Sequence, residues 1–158
     1  MKAFGEHLRQ TFDENLAVDA ALTASHVRGD DEITYGPQHL VDEHRWSAWA
    51  TDDSEKTPDV VVQLPDTRTF NLIRLREDIR LGQRVEGVAV DAWVDGDWQE
   101  IAAAESVGPC RLWRVARVTT DRVRLRVTNS PVCPALSDFG LFLEPEFVEA
   151  APSPAGAP

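Results

Sequence analysis

The sequence predicts an all-β protein, an antiparallel β-sandwich of the jelly-roll type preceded by one amphipathic α-helix. Three observations support this: an apolar stripe with helical spacing near the N-terminus, a series of short β-rich runs after residue 20, and a tight-turn dipeptide between two of the runs. With 158 residues, the chain is long enough to form one domain whose core needs neither a disulfide nor a structural metal.

The N-terminal helix is predicted over residues 2–17, where apolar side chains recur at every fourth position. This spacing places them on one face of a helix of about four turns, opposite a charged and polar face. The apolar face must dock either on the same domain or on a neighbour. Its members are Phe4, Leu8, Phe12 and Leu16.

The β-rich runs predict strands, with no second helical segment among them. Alternation is clearest in residues 122–127, where three Arg side chains alternate with three aliphatic ones, as a half-buried antiparallel strand requires. Asp95 and Gly96 separate two runs and predict a tight hairpin turn. The runs span residues 21–25, 60–64, 70–76, 87–94, 98–102, 112–115, 122–128 and 139–143.

The predicted domain organisation has three segments. Residues 1–20 form a linker helix, residues 21–144 form the sandwich, and residues 145–158 form a tail rich in Pro and Ala. The tail offers too little apolar surface to offset its ordering entropy, so we expect it to be disordered.

The charge balance argues against two classes of partner. A net charge of −11 repels nucleic-acid phosphates and anionic lipid headgroups, so neither nucleic acid nor a membrane is an expected partner. The sequence also shows neither an apolar run of about 20 residues, as a membrane span needs, nor a secretory signal at its start. Cys110 and Cys133 lack metal-binding or redox spacing, which predicts free buried thiols, with a single disulfide as the alternative.

Residues 28–57 form the longest stretch without strand character and are rich in aromatic and charged side chains. Long loops in compact domains are often functional, and this composition suits a sugar site, because a pyranose offers C–H faces for stacking and hydroxyls for hydrogen bonding. Trp49 is instead predicted to fill the core, and Trp93 and Trp98 to be packing residues. We find no spacing typical of a catalytic triad, a hydrolytic carboxylate pair or a zinc site.

Several segments resemble known domains. Residues 35–42 (YGPQHLVD) and 46–53 (WSAWATDD) resemble the first loop of discoidin, or coagulation factor type C, domains, which are galactose-binding-like sandwiches. Residues 70–85 (FNLIRLREDIRLGQRV) resemble the accessory C-terminal domain of bacterial α-L-fucosidases of glycoside hydrolase family 29. The resemblance extends over about residues 1–144. Three further segments continue it in the same order: residues 92–98, 118–125 and 133–141.

This resemblance implies a non-catalytic role for the chain alone. Catalysis in the family depends on an Asp nucleophile and a separate acid/base carboxylate in an upstream (β/α)8 barrel, which becomes an expected partner. The leading interpretation is a carbohydrate-binding or accessory module with a weak site for fucose- or galactose-containing glycans in the sandwich-tip loops. One alternative is a structural module that braces the barrel or mediates oligomer contacts, and another is an enzyme in its own right.

We expect the sugar contacts to come from five side chains in the sandwich-tip loops. No cofactor is expected to be required. The five are His44, Trp46, Glu77, Arg80 and Asn129.

The resemblance also implies a candidate structural calcium site. Related modules hold calcium with an Asp-Gly-Asp loop, a later hydroxyl and an acidic residue on the last strand. Here Asp42, Ser47 and Asp138 fit this pattern, whereas Glu43 replaces the turn glycine and His44 replaces a carboxylate.

Overall fold

A computed structural model describes residues 2–44 and 46–146 of the chain, so most of the predicted C-terminal tail lies outside the described residues. It confirms the all-β antiparallel sandwich with an N-terminal helix. No helix in the described part of the chain is long and apolar enough to cross a bilayer. The helix is α1 (Lys2–Phe12), and the strands are β1 (Ala21–Ala24), β2 (Trp49–Ala50), β3 (Asp59–Glu77), β4 (Gly87–Val94), β5 (Asp97–Ala104), β6 (Arg111–Asn129) and β7 (Ala135–Phe142).

Two of the strands are far longer than predicted. The runs at residues 60–64 and 70–76 belong to the single 19-residue strand β3, and those at 112–115 and 122–128 to the 19-residue strand β6. The pairing of β3 with β6 shifts register between Gln63 and Arg68, around Pro65. Proline has no N–H for the ladder, but it is compatible with extended backbone, so the pairing is interrupted while the strand continues.

The two long strands run through both halves of the sandwich. In one half, the start of β3 pairs with β1 and with the end of β6, and the sheet continues through β4 to β5. In the other half, the end of β3 pairs with the start of β6 and with β7, which in turn pairs with β2. We call these the β1–β5 half and the β7–β2 half.

The core lies between the inward faces of the two halves. Strict alternation puts Ile73 and Leu75 of β3 inward beside Phe139 and Leu141 of β7, and none of the four exposes any surface. Trp49, predicted to fill the core, is 1% exposed, and its indole N–H donates to the His26 carbonyl over 3.0 Å. This prediction is confirmed.

Helix α1 is shorter than predicted. It ends at Phe12, and Leu16 lies beyond it. The chain leaves the helix because the Asn15 side-chain oxygen accepts hydrogen bonds from the backbone N–H groups of Ala17 (3.0 Å) and Leu141 (3.1 Å). These bonds satisfy backbone groups outside a helical conformation.

The docked face of α1 also differs from the predicted stripe. The buried residues are His7 and Thr11, whereas Phe4 is 54% and Leu8 is 42% exposed. The polar face can be buried because its groups are hydrogen-bonded: His7 Nε2 donates to Glu144 (3.1 Å) and the Thr11 hydroxyl to the His7 carbonyl (2.7 Å).

The hairpin between β4 and β5 confirms the predicted turn. Asp95 (φ 53°) and Gly96 (φ 78°) both have positive φ, as a type I′ turn requires. Trp93 and Trp98 pair across the hairpin with ring centroids 5.2 Å apart, outside the core.

Arginines of β6 cover the outer face of the same half. Asp91, only 2% exposed, accepts hydrogen bonds from Arg124 (2.8 Å) and Arg126 (2.6 and 2.9 Å). Burial alone would raise the pKa of Asp91, but the two guanidiniums outweigh it and hold the pKa below its usual value. The predicted in-and-out alternation of residues 122–127 is thereby confirmed.

The long loop between β1 and β3 contains short helical turns that the sequence did not indicate. A one-turn helix, α2 (Glu32–Tyr35), begins after Asp31, whose side chain accepts from the Thr34 N–H over 3.1 Å. Further along, Glu43 has φ of 58°, a left-handed conformation that favours glycine.

We predict that Asp91→Asn lowers the free energy of unfolding by about 2 kcal/mol, because two partly buried guanidiniums lose their counter-charge. Glu100→Gln is the matched control: Glu100 also binds Arg126, but its side chain is 56% exposed, so the change should stay under about 0.5 kcal/mol. Urea denaturation measures both. Equal effects would contradict the prediction.

The same variant has a predicted pH dependence. Because the pKa of Asp91 is lowered in the folded protein, its stabilisation is present at neutral pH and is lost as the pH falls through that lowered value. The stabilities of wild type and Asp91→Asn should therefore converge in acid. A constant difference down to about pH 2 would be inconsistent with this assignment.

We predict that Glu43→Gly raises the free energy of unfolding by about 0.5 to 1 kcal/mol, because glycine adopts the left-handed conformation without a Cβ clash. Glu55→Gly, in the same loop but without positive φ, should lower stability through the entropy of the unfolded chain. Denaturant midpoints test the pair. A destabilised Glu43→Gly would show that the side chain makes an interaction that outweighs the backbone strain.

Candidate functional site

A cavity of about 520 Å³ opens on the outer face of the β7–β2 half. Its floor consists of the outward side chains of β3 and β7, and its three walls are formed by residues 43, 44 and 46, by residues 78–80 and by residues 109–110. The residues lining it are Glu43, His44, Trp46, Arg74, Arg76, Glu77, Asp78, Ile79, Arg80, Pro109, Cys110, Ser137 and Asp138.

Strand alternation creates the floor. Because Ile73 and Leu75 face the core, Arg74 and Arg76 face outward, and Arg76 lies opposite Asp138 of β7. Arg74 donates two hydrogen bonds to the Asp138 carboxylate, from Nε (2.6 Å) and Nη2 (3.2 Å). Both side chains are largely buried, so this bidentate pair is a fixed part of the floor.

An Asp–Arg–Trp arrangement links the second wall to the first. The Asp78 carboxylate accepts from Arg80 Nε (2.9 Å) and Nη2 (2.8 Å), and this guanidinium, above all, holds the pKa of Asp78 below its usual value. Arg80 also donates to the Trp46 carbonyl (2.9 Å), and its Cζ lies 5.2 Å from the centroid of the Trp46 ring. Arg80 thus joins two walls and covers part of an indole that is 59% exposed.

Glu77 is a structural acceptor at the base of the cavity. Its carboxylate, in a residue only 3% exposed, accepts the backbone N–H groups of Arg84 (2.6 Å), Val85 (2.7 Å) and Gly108 (3.1 Å). A buried carboxylate needs such donors. Glu77 therefore ties two loops to the end of β3, and its oxygens are directed at backbone rather than at the cavity.

Asp42 shapes the loop that forms the first wall. Its carboxylate accepts from the Ser47 hydroxyl (2.5 Å), the His44 backbone N–H (2.7 Å) and His39 Nδ1 (3.0 Å). Burial would raise the pKa of Asp42, but these hydrogen bonds lower it below its usual value. The Asp42 carboxylate thus holds His39, His44 and Ser47 together, and Glu43 lies next to it in the chain.

Four of the five predicted contact residues line this one cavity: His44, Trp46, Glu77 and Arg80. Asn129 does not. It lies at the end of β6, paired with Gly87, and its carbonyl accepts the Glu86 N–H.

Sequence reasoning missed Arg76. Its side chain is exposed on the cavity floor, and within the described residues no hydrogen bond or ion pair engages it. The signal that could have identified it is the alternation of Arg74 and Arg76 with Ile73 and Leu75, which already places both guanidiniums on the outer face.

The predicted calcium ligands do not form one set of free oxygens. Asp42 and Ser47 are hydrogen-bonded to each other, whereas Asp138 is neutralised by Arg74. In the described part of the chain, no group of three or more His, Cys, Asp and Glu side chains is arranged to hold a metal ion. This arrangement does not fit calcium, whose oxygen ligands must converge on the ion.

Both cysteines are free thiols, as predicted, but only Cys133 is buried. Cys110 is exposed on the cavity rim, contrary to the expectation that both are buried. Cys133 lies among charged groups, with Arg84 Nη1 3.3 Å and Asp53 Oδ1 3.5 Å from its sulfur.

Comparison with known proteins identifies what the chain is similar to. No family model matches it. Over 139 residues it is 32% identical to the putative α-L-fucosidase 1 of Oryza sativa subsp. japonica, a match covering 87% of this chain and 27% of the relative. The α-L-fucosidase 1 of Arabidopsis thaliana is 27% identical over 147 residues, which cover 91% of this chain and 29% of the relative.

The structural comparison agrees. A putative α-L-fucosidase from Bacteroides thetaiotaomicron superposes with a TM-score of 0.84 at 30% identity, over 90% of this chain and 31% of that one. A chitosan-binding module from a Paenibacillus chitosanase/glucanase shares the fold, with a TM-score of 0.70 at 18% identity. The chain thus spans less than a third of the curated relatives it matches, and over most of its own length it corresponds to one part of α-L-fucosidases of glycoside hydrolase family 29.

Proposed function

We propose that this chain is a non-catalytic carbohydrate-binding module of an α-L-fucosidase, and that it binds fucose- or galactose-containing glycans in the cavity on the β7–β2 half. The observation that carries the proposal is that one cavity combines Trp46, which is 59% exposed, with the exposed guanidinium of Arg76, which no hydrogen bond or ion pair engages within the described residues. A catalytic barrel elsewhere in the same enzyme is the partner that the proposal requires.

The cavity offers few groups to a ligand because most of its charges have internal partners. Arg74, Asp78, Arg80 and Asp138 form two ion pairs, and Glu77 is bound by backbone. Within residues 2–44 and 46–146, no side-chain hydrogen bond or ion pair engages the lining side chains of Arg76, Glu43 and His44, and Trp46 is 59% exposed beside them. Together these four side chains provide one stacking surface, hydrogen-bond donors and one carboxylate acceptor.

These groups match the surface of a pyranose. An apolar C–H face of the sugar can lie against the indole, while ring hydroxyls accept from Arg76 and donate to Glu43. A single stacked ring with a few hydrogen bonds gives weak binding, with a Kd of about 1 mM, equivalent to about 4 kcal/mol.

The partners of the cavity carboxylates also support a non-catalytic role. Retaining glycosidases need two carboxyl groups about 5 Å apart, one to attack and one to protonate. Asp78 and Asp138 are neutralised by arginines and Glu77 accepts three backbone N–H groups, so Glu43 has no uncommitted carboxyl partner within the described lining of the cavity. The hydrolytic step is therefore proposed to belong to the part of the enzyme that this chain does not match.

The test is an amide NMR titration with L-fucose and then D-galactose up to tens of millimolar. Saturable shifts should be confined to the loops around residues 43–46 and 76–80. Trp46→Ala and Arg76→Ala should abolish them, whereas Asn129→Ala, a predicted contact outside the cavity, should leave them unchanged. Loss of binding in Asn129→Ala alone would place the site elsewhere, and no saturable shift with either sugar would reject the proposal.

The titration is repeated with added calcium and again with a chelator. The hydrogen bonds around Asp42 and the Arg74–Asp138 pair predict the same sugar affinity in both conditions. Loss of binding on chelation would show that a metal organises the site.

One observation favours a second candidate, a structural module that braces a catalytic domain. Phe4 and Leu8 of α1 are 54% and 42% exposed. Burial of these two apolar side chains against another domain would stabilise the contact between the domains. If it is correct, the isolated chain should self-associate in analytical ultracentrifugation, and the double variant Phe4→Ser, Leu8→Ser should be monomeric while sugars leave the NMR spectrum unchanged. A monomeric wild type that binds sugar would exclude this as the main role.

A further inference from the structure

We infer that Arg74 is a positioning residue for the cavity and that helix α1 controls it through the rings of Phe12 and Phe142. This inference rests on the proposed function and adds a regulatory connection to it. It follows from a continuous series of contacts that begins on the helix and ends on the cavity floor.

The first contact is between α1 and β7. The Phe12 and Phe142 rings meet edge to face, with centroids 4.9 Å apart and planes at 69°. Phe142 lies on the outer face of the sheet but is only 1% exposed. Phe12 of the helix therefore contacts a ring that lies buried on the outer face of the sheet.

The second contact is between Phe142 and Arg74. The Cζ atom of Arg74 lies 4.9 Å from the centroid of the Phe142 ring, while its Nε and Nη2 donate to Asp138. The guanidinium is thus fixed by a ring on one side and a carboxylate on the other. Both Arg74 and Asp138 line the cavity, so the ring's position sets the floor's geometry.

Gly140 makes this arrangement possible. It lies opposite Arg74 in the sheet, between Asp138 and Phe142. A Cβ atom at Gly140 would stand 2.6 Å from Cε2 of Phe142 and 3.3 Å from the Asn15 amide nitrogen. Only glycine leaves space for the ring and for the segment after α1 to lie across the strand.

The helix is attached to the same edge at two further points. Asn15 accepts the Leu141 N–H, and His7 shares the Glu144 carboxylate with Arg114, which donates from Nε (2.9 Å) and Nη2 (3.0 Å). These bonds seat α1 beside Phe142. A partner that moves α1 must therefore disturb Phe142, and by thermodynamic reciprocity a sugar that fixes the floor favours the seated helix.

The test uses substitutions that keep apolar volume but remove an aromatic ring. Phe12→Leu and Phe142→Leu in the full chain should raise the Kd for the sugar bound by wild type about fivefold, the size of a modest cation–π or ring-pair contribution. Phe12→Tyr keeps the ring and should bind the sugar with wild-type affinity. Leu8→Ala, on the same helix but 42% exposed, is the matched control and should bind as wild type does.

A second readout does not need a sugar. The Nε–H signal of Arg74, hydrogen-bonded to Asp138, should shift in Phe12→Leu and stay in place in Leu8→Ala. An unchanged signal in Phe12→Leu would overturn the inference, whether or not wild type binds sugar. A shifted signal in a protein that binds no sugar would support the connection and reject only the proposed function. If Phe12→Leu does not fold, the Arg74 Nε–H signal of Phe142→Leu is compared with that of wild type in the same way. If neither variant folds, the signal of Gly140→Ala is compared with that of wild type.

Discussion

The pairing of β3 with β6 along two 19-residue strands is the constraint on which the rest of the structure depends. Because both strands pass through both halves, the alternation of one strand determines what faces the core and what faces the cavity. Alternation along β3 buries Leu75 and turns its neighbours Arg74 and Arg76 outward. Glu77 follows at the end of the strand, where its buried carboxylate accepts the backbone N–H groups of Val85 and Gly108. Core and cavity are therefore products of one register.

Ion pairs and hydrogen bonds within the protein determine which charged groups of the cavity can contact a ligand. The chain carries a net charge of −11, but the carboxylates of the cavity are mostly neutralised by arginines or bound by backbone N–H groups. Most charges in such a cavity are compensated by another side chain or by backbone N–H groups. The proposed function builds on this, because a neutral, hydroxyl-rich ligand needs no further counter-charge from the cavity.

Local patterns predicted the elements that depend on local physics. The hairpin at Asp95 and the alternation of residues 122–127 follow from turn geometry and strand periodicity, and both are confirmed. The merging of the runs at residues 60–64 and 70–76 into β3 could not be predicted, because Pro65 lies between them and a proline ordinarily interrupts a strand. Only the pairing with β6 shows that the strand continues. Arg76 was missed for a similar reason: periodicity places it outward but does not say which outward residues border a cavity.

The most direct measurement is a crystal structure of the chain soaked in L-fucose at tens of millimolar. We expect a pyranose in the cavity, with its apolar face on the Trp46 ring and a hydroxyl within hydrogen-bonding distance of Arg76. A cavity that is open to solvent and empty of sugar, with fucose bound elsewhere or not at all, would contradict the proposed function.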